Sequence, residues 1–406
     1  MEKKLKPTIW VLTAVPFIMV LGNSMLIPVL PAIQEELEIN LLHAGLLITA
    51  FSIPAGIFIP LAGIISDHIG RKKVMAPALV VYGIGGILAG LAAVLIEKPY
   101  PYILGARIIQ GLGAGGTYQL AMALAGDLIK GKERAAVLGL LEAGNGLGKV
   151  ISPLVGATVG LISWYMPFFV YGVLAIPVAA LVYWVAKEPA NSKKAQSTGE
   201  YLKNLASIFK QKGVNLSMAF LCGMLVLFSL FGLLSFLSDL LEKTYHFKVF
   251  SRGLIIAVPV LVMAISAYIL GTVLKAHLAR ILKWTILGGL LMVGTGLFLF
   301  PLVNGVVFKV GVSTLIGLGT GAVLPSLNTL ITSSAPTSER GLVTCLYGTV
   351  RFFGVAIGPP LFGLIDHYGQ APIFWVTAAL ILLAFLLTFF LINPQKVLPQ
   401  QMQEGN

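Results

Sequence analysis

Few ionisable side chains fall inside the long apolar stretches of this sequence, and those few carry whatever chemistry the stretches perform. Of the 16 acids, Glu142 alone lies well within such a stretch, seven residues before Lys149. Seven residues of helix are two turns, about 10 Å along one face. The two groups are too far apart for a direct ion pair but can line one cavity. Arg107 and Arg351 are the other embedded charges. A charge at the bilayer centre costs several kcal/mol unless it is paired or wet, so each points to a wet cavity or a polar partner. Proton coupling needs a group whose charge can change, and Glu142 meets that requirement. Lys149 and Arg351 then tune its ionisation or bind anionic groups. The competing reading makes all three static bridges between domains. Two cations beside one acid suit neutral or anionic ligands better than permanent cations. All five histidines lie near segment ends or in loops, so none offers a second deep proton carrier.

The elements that hold these groups follow from composition. Of 406 residues, 57% are hydrophobic and 11% charged, against about 25% charged in soluble domains. The mean hydropathy of +0.92 agrees, and the chain reads as an integral membrane protein. Apolar segments fall at 9–31, 42–62, 74–96, 101–128, 135–161, 164–186, 214–238, 253–274, 284–303, 307–332, 341–365 and 370–393. Each is long enough to cross a hydrocarbon core of about 30 Å as a helix. They are numbered here as spans one to twelve. Runs of this length exclude a barrel of short alternating strands. Cys222 and Cys345 both sit in apolar segments and form neither a disulfide framework nor a metal-ligand spacing, so no metal site is expected.

The net charge of +12 would suggest nucleic acid in a soluble chain. Here its placement records topology instead. With a cytoplasmic N-terminus, 20 of the 28 Lys and Arg fall in the tails and even-numbered loops, 5 on the opposite side and 3 inside spans. That split places both termini in the cytoplasm. The first apolar run is long for a signal sequence and is followed by Glu35, Glu36 and Glu38 rather than a small-residue cleavage site, so it reads as a retained span. The longest loop, 187–213, begins polar. It then places Tyr201, Leu202, Leu205, Ile208 and Phe209 at helical spacing beside Lys203, Lys210 and Lys212. This suits a short helix on an anionic leaflet, serving as a linker or as a regulatory contact.

An internal repeat organises the chain. Gly111-Leu112-Gly113-Ala114-Gly115 aligns with Gly317-Leu318-Gly319-Thr320-Gly321. Glu133-Arg134 aligns with Glu339-Arg340, Gly148 with Gly354, and Ser152-Pro153 with Gly358-Pro359, always at an offset of 206 residues. The chain therefore reads as two six-helix halves, 1–186 and 214–406, joined by 187–213. Parallel six-helix repeats are the plan of a large transporter class with a substrate site between its halves.

Three motifs name a family. The turn after span two reads Gly63-Ile64-Ile65-Ser66-Asp67-His68-Ile69-Gly70-Arg71-Lys72-Lys73. It resembles the G-x-x-x-D-R-x-G-R-R/K signature of the major facilitator superfamily, with His68 in place of the usual Arg. A carboxylate and a guanidinium at a membrane edge can lock helices in one state and release them in another. Arg107, Gln110 and Gly111 resemble the family's R-x-x-Q-G signature of span four. Asp127, closing that span, matches the acid that pairs with Arg71 in relatives. Span five carries Gly139, Gly148, Ser152-Pro153 and Gly156, similar to the antiporter signature of exporters, with Ser152 for the usual Gly. A purely structural reading makes these small residues sites of tight helix packing. Span one resembles the first helix of twelve-span drug:proton antiporters, with Asn23 where many carry an acid. Asn23, Gln110, Met224, Phe228 and Phe231 are candidate pocket residues; for span seven, lipid-facing packing is the alternative.

The resemblance implies an all-α membrane protein of twelve spans in two pseudo-symmetric halves. It implies a proton-driven antiporter exporting apolar or amphipathic compounds from the bacterial cytoplasm, monomeric, with no cofactor beyond the proton gradient. Asp67, Gly70, Arg71 and Asp127 form its gate. The alternative is a dedicated exporter of one endogenous metabolite, such as a sugar, siderophore or amino-acid derivative. An enzyme would need clustered His, acids or Ser/His at a membrane face, and a nucleotide-driven pump would need G-x-x-x-x-G-K-[ST]; the sequence has neither. A sensor would need a soluble output domain, for which the tail after 393 is too short.

Overall fold

The computed structural model describes residues 5–129, 132–188, 198–334 and 340–392. Every regular element among them is helical. Ten helices are long and apolar enough to cross a membrane. The other two spans are four, which is broken, and five (Lys132–Gly160), which is glycine-rich and bears charges. The chain forms two compact units: Met1–Gln196 with Phe247–Leu254, and Ser197–His246 with Ile255–Asn406. Glu133, Arg134, Arg340, Lys275 and Arg280 have side chains outside the described set, as do Lys3, Lys4, Glu339 and Lys396 altogether.

In the first unit, glycines of span four let neighbouring backbones touch. A Cβ on Gly111 would overlap the Phe51 carbonyl oxygen of span two, and one on Gly113 would lie 2.6 Å from the Ala78 carbonyl oxygen of span three. The second unit repeats the arrangement: Gly317 meets the Pro259 carbonyl of span eight, and a Cβ on Gly319 would lie 2.5 Å from the Gly289 oxygen of span nine. The sequence repeat is thus a repeat of contacts. These contacts also resolve an apparent misfit. Val249–Leu299 is one helical element of 51 residues, which if straight would run about 75 Å. Yet Pro259 and Gly289 both pack on a three-residue stretch of span ten, Gly317 to Gly319. The element therefore folds back between the spans Val249–Gly271 and Ile281–Leu299.

Span seven runs Lys212–Lys243. It shares one helical element, Thr198–Lys243, with the linker helix, and that element bends near their junction, since Phe209 and Phe220 would lie about 16 Å apart along a straight helix. The stripe Tyr201, Leu202, Leu205 and Ile208 lies outside the described side chains, and Phe209 packs edge-on against Phe220 of the same helix, 6.1 Å between ring centres. That contact binds Phe209 to protein rather than lipid.

Spans one and four are each interrupted where a continuous helix was expected. In span one, Pro28 and Pro31 lack the N–H that helical bonding requires. The α-helix Lys6–Ser24 gives way to a 3-10 turn, Ile27–Val29, before resuming at Leu30–Leu37. Leu26 N–H donates to Asn23 O at 3.2 Å instead of to Gly22 O. In span four, the run Gly113 to Gly116 ends the first helix at Gly115, and the second starts at Tyr118. Thr117 bridges the gap, its hydroxyl donating to Ala114 O at 2.6 Å.

The span-five signature divides on inspection. A Cβ on Gly148 would lie 3.1 Å from the Phe17 oxygen, and one on Gly156 would overlap the Met25 carbonyl at the break of span one. Ser152 is buried and its hydroxyl donates back to Gly148 O. Gly354 and Gly358 repeat this packing against Met224 and Phe228 of span seven. Gly139 does not belong to it, since a Cβ there meets nothing within 4 Å. Overpacking a close helix contact costs about 1–3 kcal/mol. Gly156→Ala should therefore lower thermal stability in detergent while Gly139→Ala leaves it unchanged; equal melting temperatures would contradict this packing.

Candidate functional site

Arg107 is wholly buried inside the first unit. Its Nε donates to Leu47 O at 3.0 Å. Its Nη1 donates to Gly22 O at 2.9 Å, Gln110 Oε1 at 2.6 Å and Tyr171 Oη at 3.4 Å. Nη2 donates to Asn23 Oδ1, and the guanidinium lies 4.6 Å from the centre of the Phe51 ring. Asn23 Nδ2 continues the network to Ser52 Oγ at 2.9 Å. Tyr82, beside it, donates to Ile18 O at 3.0 Å. The Gly22 carbonyl is the one the break of span one releases. Arg107, Asn23 and Gln110 were read as cavity or pocket residues. In the structure Asn23 and Gln110 each accept a hydrogen bond from Arg107 in the interior of the unit, and the break of span one supplies a further acceptor that a helix would have used itself, so Arg107 has the polar partners that were one of its two expected environments.

Glu142 is exposed on span five and accepts a hydrogen bond from the buried Tyr118 hydroxyl. Tyr118 is the first residue of the second segment of span four, so the Gly-rich break is what aims its ring at span five. Sequence reading missed Tyr118; the four small residues before it were the available signal. Lys149 is half-buried on the same helix and makes its own contacts.

At one edge of this unit the predicted pairing is present. Arg71 Nε lies 2.6 Å from Asp127 Oδ2, and its Nη2 lies 3.2 Å from Asp67 Oδ1. Gly70 has φ +105°, a conformation that favours glycine, and so makes the turn between spans two and three possible. His68, which departs from the signature's Arg, turns its Nδ1 back to Ile64 O at 2.9 Å.

In the second unit Arg351 is half-buried, its guanidinium 5.3 Å from the centre of the Tyr347 ring. Tyr347 in turn stacks on Phe220 at 5.7 Å. The Nε of Arg351 is buried and has no acceptor among the described residues. Phe228 and Phe231 are buried, Phe228 edge-on to Phe362 at 5.9 Å. Gly358 brings span eleven against the Phe228 backbone of span seven; Met224 is half-buried. Two of the five cations on the side opposite the termini are also interior to their units. Arg252, in the part of the chain that joins the first unit, is fully buried, and in the second unit Lys309 Nζ donates to Phe300 O at 2.7 Å while lying 4.4 Å over the Phe300 ring.

A family model described as Major Facilitator Superfamily matches residues 12–359. The Bacillibactin exporter of Bacillus subtilis (strain 168) is 34% identical over 387 residues, covering 95% of this chain and 96% of that protein. Multidrug resistance protein 1 of the same organism is 25% identical over 389 residues, covering 94% and 95%. Among solved structures, a bacterial homologue of the human lysosomal transporter Spinster, inward-facing and unoccupied, has a TM-score of 0.79 at 17% identity, with 98% of each chain covered. The human organic anion transporter MFSD10 (TETRAN) has a TM-score of 0.71 at 18% identity, covering 96% of this chain and 100% of that one. At these identities the structures show a shared fold.

Losing a charged hydrogen bond from a buried site costs about 1.5–3 kcal/mol. Lysine is a point charge without the planar fork of arginine. Arg107→Lys should therefore destabilise the folded protein measurably in detergent even with no substrate and no proton gradient. Unchanged stability would show that Arg107 is not a structural hub.

Proposed function

The chain belongs to the Major Facilitator Superfamily and is a multi-pass membrane transporter, and we propose that it exports an oxygen-rich, anionic metabolite of the siderophore type in exchange for protons. Arg351 carries the substrate reading. It is a cation within a span, with a sealed Nε and an aromatic neighbour but no carboxylate within ion-pair distance among the described residues. An uncompensated guanidinium favours ligands that bring acceptors of their own. The siderophore exporter similar over nearly the whole of both chains supports the same class. A second reading, efflux of unrelated amphipathic compounds, is favoured by the multidrug relatives at 25% and 28% identity.

Glu142 is the proton carrier in this proposal, poised by Tyr118, and Lys149 on the same helix tunes it. Transport proceeds by alternating access, with Asp67, Arg71 and Asp127 gating the edge they occupy. The distribution of Lys and Arg supports assigning that edge, and both termini, to the cytoplasmic face of a bacterial inner membrane. The transporter acts as a monomer, with no cofactor beyond the proton gradient.

Two measurements test the proposal in liposomes under an imposed pH gradient. Glu142→Gln should abolish uphill export while substrate binding survives; undiminished uphill transport by that variant would falsify the coupling role. Arg351→Gln should lower kcat/KM for an anionic catecholate or hydroxamate by roughly 10–100-fold, the worth of a charged hydrogen bond, and leave an uncharged dye unaffected. Equal losses for both compounds would favour broad efflux instead.

A further inference from the structure

Span six ends at Val185, and the next three residues, 186–188, leave the helix. They are tied down on two sides. The Thr8 hydroxyl of span one donates to Val185 O at 3.2 Å and accepts from the Lys187 N–H at 3.2 Å. Glu188 then reaches the turn between spans two and three, where its Oε1 accepts the backbone N–H of Arg71. Both Glu188 oxygens would lie 2.9 Å from a Cβ on Gly70, so the glycine at φ +105° also makes room for this carboxylate. Nearby, Lys72 Nζ lies 5.6 Å from the centre of the Tyr183 ring of span six.

The chemistry of this contact is definite. Arg71 is the first residue of span three, Arg71–Leu95, and its N–H is among the donors a helix start leaves unpaired. A carboxylate there also gains from the positive end of the helix dipole. Gly70 has no side chain to serve as a cap, so Glu188 does so from 117 residues away in sequence. Arg71 is consequently held at its backbone by Glu188 and at its guanidinium by Asp67 and Asp127.

We propose that Glu188 is a positioning residue of the gate: it fixes the backbone from which the Arg71 guanidinium reaches Asp127, so that release of Glu188 and rupture of the Arg71–Asp127 pair are one event. This rests on the reading of Asp67, Arg71 and Asp127 as a gate. Glu188 also directly precedes the stretch joining the two halves of the chain, so the gate is covalently continuous with that connection.

The test is a double-mutant cycle in reconstituted full-length protein, reading initial transport rate and substrate Kd. Glu188→Ala should lower the rate roughly tenfold, the worth of one hydrogen bond to a charged group, with Kd unchanged. Glu188→Gln, which keeps an oxygen acceptor, should recover most of the rate. Combined with Asp127→Asn, Glu188→Ala should add little further loss, because the pair it positions is already gone. Full additivity of the two losses would overturn the proposal, as would a wild-type rate in Glu188→Ala while Asp127→Asn and Arg71→Ala are impaired. Wild-type rates in Arg71→Ala and Asp127→Asn would overturn the gate reading and this proposal with it. If Glu188→Ala does not fold, Glu188→Asp, which withdraws the carboxylate by one methylene, takes its place in the cycle with the same expected outcomes.

Discussion

A carbonyl released by a broken helix inside lipid has no water to turn to and must find a donor in the protein. In span one the 3-10 turn withdraws the Leu26 N–H from Gly22 O, and Arg107 supplies the replacement. Much of the first unit is arranged around that exchange. Spans one, two, four and six all place an acceptor on Arg107, and Phe51 covers one face of its guanidinium. The same break lays the Met25 backbone on span five, which is why Gly156 admits no side chain. One proline-induced defect thus accounts for both the buried arginine and part of the small-residue pattern.

The two units share a scaffold but not the charges embedded in their spans. Span-four and span-ten glycines meet equivalent backbones in both. At the position matching Arg107 the second unit has Ser313, whose hydroxyl donates to the Lys309 carbonyl at 2.8 Å. At the position matching Arg351 the first unit has Asn145, which is buried. Close packing is what the repeat shares; the ionisable groups within the spans differ between the halves. A structural arginine lies in one, and an arginine with unmet hydrogen-bonding capacity lies in the other.

Sequence reasoning reached the spans, the repeat and the Arg71–Asp127 pair because each is written in periodicity, in an offset, or in a local signature. It left Arg107 open, since a charge in an apolar run announces that it needs partners without saying whether they are water or backbone carbonyls. The breaks at Met25–Leu26 and Gly116–Thr117 were partly legible, in Pro28, Pro31 and the Gly-rich run, but hydropathy alone reads through them. Tyr118 and Glu188 were not legible, because their partners lie on other helices and only the packing brings them together. Gly139 shows the opposite error: a motif position can match in spacing while its surroundings are open.

Arg71 and Arg107, both in the first unit, differ in exposure, and that difference sorts what suits a lasting contact from what suits a transient one. Arg107 is 0% exposed, and losing any acceptor would leave a donor stranded in the interior, so its network has to survive any movement of the protein intact. Arg71 and its partner Asp127 have side chains 23% and 48% exposed, and exposed ion pairs contribute only about 0–1 kcal/mol. Water replaces either partner at little cost, which suits the opening and closing proposed for this contact. His68 sharpens the contrast. Where the signature has a second arginine, this chain has a ring folded back on its own helix. Among the described residues a single guanidinium serves both carboxylates, and its placement depends all the more on the backbone that carries it.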